Sequence, residues 1–319
     1  MLSSLAVIKE DSRSMDRRRE LLPSSTSEPQ QNFNSIDSAH IALITIYTVV
    51  FIGGVCGVIK MSFLLLKMNA LSVTTTAVIN LVVVHSLFLV TVPFRLYYYA
   101  TKKWIFGTPF CKVVSGMIHF HMYLTFLFYM IFLVIRCLIF FQWKDKVEFY
   151  RNLHAVATSI AVWILAIVIV VPVILCWYGK TGVYANGMCF EFHQEFNSDP
   201  VKAVNYIVIA VMVAIICTLL GLQVFMIQKV VKTLSGSLWS HQEFRAQLKS
   251  LFFIGILMFC FLPSHLFRIY FIQHADDKRL NSVNEICLGI TAFSCLDLFL
   301  FVITGSKTLR QRINGLLCC

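Results

Sequence analysis

Apolar residues in this chain gather into seven long runs separated by short polar breaks. They lie at Ile41–Leu66, Val78–Tyr98, Val113–Phe140, Leu153–Cys176, Val201–Ile227, Leu251–Ile272 and Val283–Ile303. A helix needs roughly 20 apolar residues to cross a hydrocarbon core about 30 Å thick, so each run is predicted to span a bilayer. Backbone groups in lipid must bond within their own segment, and a strand barrel would show shorter, alternating stretches instead. The pattern therefore predicts an all-α integral membrane protein, a seven-transmembrane-helix bundle over residues 41–303. Residues 1–40, rich in Ser, Pro, Gln and charge, are expected to form a disordered N-terminal tail. Residues 304–319 place Leu309, Ile313, Leu316 and Leu317 on one helical face and Lys307, Arg310 and Arg312 elsewhere, which predicts a short amphipathic eighth helix on the membrane surface. Cys318 and Cys319 end the chain where palmitate would reinforce that anchor.

Composition agrees with the pattern and removes one class of partner. Only 13% of residues are charged and 58% are hydrophobic, against about a quarter charged in soluble domains. The net charge of +11 would suit nucleic acid, but the cations are sorted by side of the membrane. With the N-terminus outside, inner loops and helix ends hold Lys67, Arg136, Lys144, Lys229, Arg245 and Lys307 among others, and these outnumber the outer set around Lys102, Lys103, Lys112 and Lys180. Cytoplasmic loops carry the excess of Lys and Arg, so the expected orientation is N-terminus extracellular and C-terminus cytoplasmic, with no nucleic-acid partner. Arg17, Arg18 and Arg19 lie among acids far from the first run and read as a solvated stretch. Charge from Lys9 to Glu20 leaves no apolar signal core near Met1, so the first span is expected to insert unaided. No Asn-x-Ser/Thr acceptor occurs.

The eleven cysteines show no CxxC and are too scattered to predict a zinc site or a disulfide framework. Cys111 and Cys189 both fall on the outer side, where an oxidising medium permits a bridge that would tie the second outer loop across the bundle mouth. Cys56, Cys137, Cys217, Cys260, Cys287 and Cys295 are expected to act as small apolar residues. Neither a nucleophile–base pair nor a phosphate loop stands out, which argues against an enzyme and against a cofactor. Paired acids and internal repeats, the marks of a transporter, are missing too.

Several segments together resemble the rhodopsin-like G-protein-coupled receptors. The second run reads Asn80-Leu-Val-Val-Val-His85 and continues to Pro93. Trp104-x-Phe106-Gly107 precedes Cys111, Arg136 ends the third run, Trp163 sits in the fourth, and Cys189 lies in the loop before the fifth. Cys260-Phe261-Leu-Pro263 occupies the sixth run and Ser294-Cys-Leu-Asp297-Leu-Phe-Leu-Phe301 the seventh. The resemblance implies a plasma-membrane receptor that passes an extracellular signal to a heterotrimeric G protein, with Arg136, Phe261 and Phe301 in its activation machinery and a Cys111–Cys189 disulfide. Departures are also plain. Val58 stands where the family carries Asn, Ile135-Arg136-Cys137 stands for Asp-Arg-Tyr, the fifth run has no proline, and Leu298 replaces the proline of the seventh. A receptor-shaped binding or scavenger protein, or a silent heteromer partner, is accordingly the alternative.

Ionisable groups at membrane depth call for a partner or a purpose. By the resemblance, His85 takes the place of the acid that holds a sodium ion, and Asp297 lies beside it. A direct His85–Asp297 hydrogen bond is expected, near Thr125 and Ser294; a neutral histidine satisfied by hydroxyl or backbone is the alternative. Glu243 resembles the partner that locks Arg136 until activation, the alternative being two solvated charges.

For the ligand, Ile118 replaces the amine-binding acid and Thr291 the retinal lysine, which removes monoamines and a chromophore. His265 and Arg268, three apart on one face, resemble the basic pair of nucleotide- and acidic-lipid-sensing receptors. Arg95, Lys112, His119 and Tyr123 are the other candidates, and an anionic ligand is expected, since guanidinium suits carboxylate or phosphate. Snorkelling to headgroups remains open for Arg95, Lys112 and Arg268, and ordinary packing for His119 and Tyr123. Ser306 and Thr308 are the tail's hydroxyls, so arrestin capture there is expected to be weak, with Ser235, Ser237 and Ser240 as the fallback.

Overall fold

The computed structural model describes residues 28–67, 73–141, 148–170, 172, 187–190, 198–233, 242–274 and 278–298. Two units are distinguished, Met1–Ala39 and His40–Cys319. The described residues are helical apart from turns and loops. In chain order the helices are α1 (Glu28–Leu66), α2 (Val73–Thr101), α3 (Thr108–Phe140), α4 (Glu148–Leu165), α5 (Asp199–Thr233), α6 (Gln242–Ile256), α7 (Leu262–Gln273) and α8 (Lys278–Thr291). A π turn at Ala166–Val170 prolongs α4, another at Leu257–Phe261 joins α6 to α7, and a 3-10 turn at Ala292–Leu296 prolongs α8.

Five of the predicted spans appear as apolar helices of membrane-crossing length: Ser38–Leu66, Thr75–Thr101, Thr108–Phe140, Asp199–Thr233 and Ser250–Gln273. The shortest has 24 residues, or about 36 Å at 1.5 Å per residue, more than the core of a bilayer. Shorter apolar helices at His154–Val168 and Leu280–Leu296 coincide with the fourth and seventh runs, of which residues 171, 173–176 and 299–303 lie outside the described ones. The architecture is a seven-helix membrane bundle.

Residues 1–27 of the expected tail lie outside the described residues, and helix α1 begins at Glu28. Its first proline, Pro29, sits in the first turn, where a missing N–H costs nothing, and no glycine follows before Gly53. The amphipathic segment 304–319, with Cys318 and Cys319, lies outside the described residues.

The core runs along the bundle axis and includes Tyr47, Val50, Phe88, Val114, Ile118, Tyr129, Ile216, Leu257, Phe261 and Cys295, each essentially inaccessible. Large apolar side chains such as Ile52, Val90, Ile207 and Phe259 project outward, as lipid-facing positions must. Close approach of helices depends on two glycines. A Cβ at Gly54 would stand 2.8 Å from Leu89 Cδ2, and one at Gly57 would stand 3.3 Å from Leu298 Cβ, so α1 lies against α2 and the seventh span where those side chains are missing.

Breaks in the helices have local causes. Pro263 lies in the first turn of α7; without an N–H it cannot bond back one turn, and the chain widens into the π turn Leu257–Phe261 just before it. In the seventh span Leu298 replaces proline, yet the helix still tightens into a 3-10 turn. There the Thr291 hydroxyl donates to Leu288 O at 2.6 Å and the Ser294 hydroxyl to Thr291 O at 2.8 Å, and such back-bonding competes with the helical ladder.

Candidate functional site

Cys111 at the start of α3 and Cys189 in the loop before α5 are joined by a disulfide, Cα to Cα 5.8 Å. Around it Trp104 donates through Nε1 to Gly107 O at 2.8 Å, while its backbone N–H bonds Gly187 O at 2.8 Å. Gly107 and Gly187 hold φ of 82° and 90°, a region that glycine enters without steric cost. Trp104 packs against Tyr98, Phe106, Phe110 and Phe190. This aromatic plate covers the disulfide end of the bundle.

Beneath it lie the basic residues singled out in the sequence. Arg95 is 1% exposed. It donates to Val114 O at 2.8 Å, Ser115 O at 3.2 Å and the Tyr47 hydroxyl at 3.3 Å. The guanidinium also sits 4.5 Å from the Phe190 ring centroid and 3.9 Å from Glu285 Oε2. Tyr99 donates to the same carboxylate oxygen at 3.1 Å. Arg95 does not snorkel to headgroups; it ties α1, α2, α3 and α8 together. Glu285 was not among the sequence candidates, although an acid inside an apolar run was the visible signal.

Arg268 forms a second node. From α7 it donates through Nε to Asn205 Oδ1 on α5 at 3.2 Å and through Nη1 to His119 Nε2 on α3 at 3.2 Å. It too is buried, 9% exposed, so headgroup snorkelling does not describe it. One turn earlier, His265 stacks on Tyr123 with centroids 6.5 Å apart, and its Nε2 is buried with no hydrogen-bond partner among the described residues. His119, Tyr123, His265 and Arg268 thus converge from the third and sixth spans; Asn205 joins them without any sequence signal. Lys112 is half-buried in the first turns of α3.

Deeper in the bundle is a fully buried polar cluster. His85 Nε2 lies 3.2 Å from Asp297 Oδ1, the contact expected from the sequence. The Tyr129 hydroxyl donates to Asp297 Oδ2, and His85 Nδ1 faces His121 Nε2 at 2.9 Å. Cys295 Sγ is 3.4 Å from His121 Nε2 and 3.6 Å from His85 Nδ1. Cys295 is therefore a member of a polar cluster and not simply the small apolar residue expected. Of the two hydroxyls expected nearby, Ser294 bonds its own helix, and Thr125 Oγ1 is buried with no partner among the described residues. His121, Thr125 and Tyr129 recur every four residues, one face of α3, a stripe that reads as packing in an aromatic-rich helix.

At the opposite end Arg136 lies over the Phe132 ring, 5.4 Å to the centroid. The Glu243 side chain and Phe301 lie outside the described residues, and so does the expected Arg136–Glu243 lock. Phe261 is fully buried in the π turn preceding Pro263. A clamp without any sequence signal joins α5 to α6: Gln223 Nε2 donates to Gln247 O at 2.9 Å and to Gln247 Oε1 at 3.0 Å, in buried surroundings.

The second span is fastened to the fourth by Asn80, which accepts from Trp163 Nε1 at 2.9 Å and donates to Ser159 Oγ at 2.7 Å. Asn80 and Trp163 are among the residues that carry the family resemblance. The family model of the seven-transmembrane receptors of the rhodopsin family matches residues 56–297. The chain belongs to the rhodopsin family of seven-transmembrane receptors. Among similar proteins, human "Probable G-protein coupled receptor 141" is 55% identical over 282 residues, covering 87% of this chain and 92% of its own length. The mouse "2-oxoglutarate receptor 1" is 26% identical over 246 residues, 76% of this chain and 71% of its own. A mouse purinoceptor is 25% identical over 290 residues, 86% of this chain and 77% of its own. This receptor is a multi-pass membrane protein of a signalling family, not an enzyme.

Proposed function

We propose that the receptor binds a small anionic ligand beneath the aromatic plate and transmits that event to a heterotrimeric G protein at the opposite end. The disulfide end is then extracellular, the membrane is the plasma membrane, and the C-terminus is cytoplasmic. The observation that carries the ligand reading is the pair of buried guanidiniums under the plate. Arg95 stands within ion-pair distance of the Glu285 carboxylate. Arg268 donates to Asn205 and His119, and a carboxylate or phosphate bound through two parallel N–H bonds would add charge-assisted contacts to these. His265 Nε2 and Lys112 supply further polar groups for the same guest. Two relatives are named for 2-oxoglutarate and for purines, which fits an anionic ligand of dicarboxylate or nucleotide type; an acidic lipid headgroup shares that chemistry.

Ligand in contact with α3, α5 and α7 has leverage on the sixth span because the π turn and Pro263 form a bend between α6 and α7. Moving α6 away from α5 breaks the Gln223–Gln247 clamp and opens the surface around Arg136 to the G protein. Arrestin and lipid at the tail complete the set of partners. A silent, binding-only receptor is the second reading, favoured by Ile135 beside Arg136 and by Leu298 buried where the family has proline.

The test uses expressing cells challenged with 2-oxoglutarate, adenosine triphosphate and lysophosphatidic acid while G-protein activation is recorded. Response to at least one anion, lost in Arg268→Ala and retained in Lys103→Ala, supports the proposal. An intact response in Arg268→Ala, with equal surface expression, would overturn the pocket assignment.

A further inference from the structure

We infer that His85, His121 and Cys295 form a transition-metal site, of zinc type, that pins the second, third and seventh spans together. Their donor atoms make a closed triangle: Nδ1 to Nε2 2.9 Å, Nε2 to Sγ 3.4 Å, Sγ to Nδ1 3.6 Å. All three side chains are fully buried and aimed at one another. Zinc binds imidazole nitrogen at about 2.0–2.1 Å and thiolate at about 2.3 Å in tetrahedral geometry, which separates nitrogen from sulfur by about 3.5 Å and nitrogen from nitrogen by about 3.3 Å. Both nitrogen–sulfur edges already match, and the nitrogen pair needs to open by a few tenths of an ångström. A triangle with these sides has its centre about 1.9 Å from each corner, which seats the ion slightly out of the plane at ordinary bond lengths.

The surroundings supply what such a site needs. His85 turns its other nitrogen, Nε2, to Asp297 Oδ1 at 3.2 Å, and Tyr129 holds the second oxygen of that carboxylate. A carboxylate behind a ligating histidine fixes its tautomer: Nε2 carries the proton and Nδ1 presents a lone pair. For His121 the proton that bridges Nε2 to His85 must move to Nδ1 when Nε2 binds metal. Nδ1 of His121 is buried with no partner among the described residues, so this tautomer leaves a buried donor unsatisfied, a cost that the metal–ligand bonds must offset. The Cys295 thiol proton leaves to solvent. Charge then closes to zero, +2 on the ion against one thiolate and the Asp297 carboxylate, which suits a site cut off from water. Thr125 Oγ1, one turn beyond His121 on the same face and also without a partner among the described residues, or a water, is available for the fourth position. Two imidazoles and a thiolate suit zinc; they are poor ligands for sodium, a hard cation that prefers oxygen.

The site joins residues on three spans, 36 and 174 positions apart, which is why spacing rules for zinc in sequence do not reveal it. An ion there favours the helix arrangement that brings the three donors together, and so adds a ligand-independent brake on rearrangement of the seventh span.

The experiment loads the full chain, purified in detergent and stripped of metal with a chelator, with Co²⁺ and then with Zn²⁺. Expected are one Co²⁺ per chain, a thiolate-to-cobalt band in the near ultraviolet with tetrahedral d–d bands, and their loss on adding Zn²⁺. Cys295→Ser abolishes the ultraviolet band, whereas Cys260→Ser, on the sixth span, leaves it. Asp297→Asn keeps the band but weakens Zn²⁺ binding about 10- to 100-fold, as for other partners of ligating histidines. Zinc-edge X-ray absorption of the wild type should show one sulfur and two imidazole nitrogens, a readout that needs no variant to fold. A wild type that binds no Co²⁺, a sulfur-free zinc shell, or an undiminished band in Cys295→Ser overturns the proposal.

Discussion

Single residues in this bundle matter most where they leave a partner stranded in the dry interior. His85 and Asp297 are both inaccessible to solvent, so removing one of them leaves the other uncompensated, at a cost of about 3–5 kcal/mol. His85→Leu and Asp297→Leu should each lower the melting temperature of purified receptor, and the double variant should lose clearly less than the two together. Additive losses would show that the contact contributes nothing. The pair was legible in the sequence because histidine and aspartate stand out in apolar runs and the family resemblance places them side by side. Its other members were not: Tyr129 and His121 lie among the phenylalanines of α3, and Cys295 is indistinguishable in composition from the chain's other helical cysteines. Glu285 carries the same kind of signal as Asp297, an acid inside an apolar run, but its partner is a matter of distance rather than pattern. Its carboxylate supplies an opposite charge 3.9 Å from the buried Arg95, and Glu285→Gln should destabilise the receptor by an amount that Arg95→Met reduces, measurable in a thermal double-mutant cycle.

At the scale of elements, packing between helices was hidden from hydropathy, which shows that a run crosses the membrane and not which neighbour it meets. Gly54 is one such contact. Gly54→Val puts a branched side chain into Leu89, and overpacking of this kind costs about 1–3 kcal/mol; surface expression should fall, and Leu89→Ala should restore it in part. The Gln223–Gln247 clamp is another, between α5 and α6. Gln223→Ala removes two buried hydrogen bonds, each about 1 kcal/mol net, from the contact that opens in the proposed coupling. Basal G-protein activation should rise several-fold, and unchanged basal output would remove the clamp from the activation path. The helix bends followed partly from sequence. Pro263 announces the π turn before α7, whereas the 3-10 turn after α8 arises from hydroxyls at Thr291 and Ser294, whose back-bonding depends on rotamers that no pattern records.

For the whole molecule, span number and family were legible because both depend on residues in chain order, and the seven runs, Trp163, Pro263 and the two bridging cysteines survive at their stations. The covalent tie is also a whole-molecule feature, since Cys111 and Cys189 are 78 residues apart. Losing it in Cys189→Ser should cost about 2–5 kcal/mol and lower the receptor at the cell surface; a variant with wild-type abundance and thermal stability would contradict that role. The candidate site was less legible than the fold, because the partners of its basic residues exist only through space: Glu285 beside Arg95, and Asn205 and His119 beside Arg268. What ties these parts together in the proposed function is transmission from the disulfide end to Arg136. Its most direct test is activation of each G-protein class in cells expressing wild type or Arg136→Ala at matched surface levels. The account predicts activation of at least one class by the wild type, lost in Arg136→Ala; equal output from both, or from neither with any class, would contradict it.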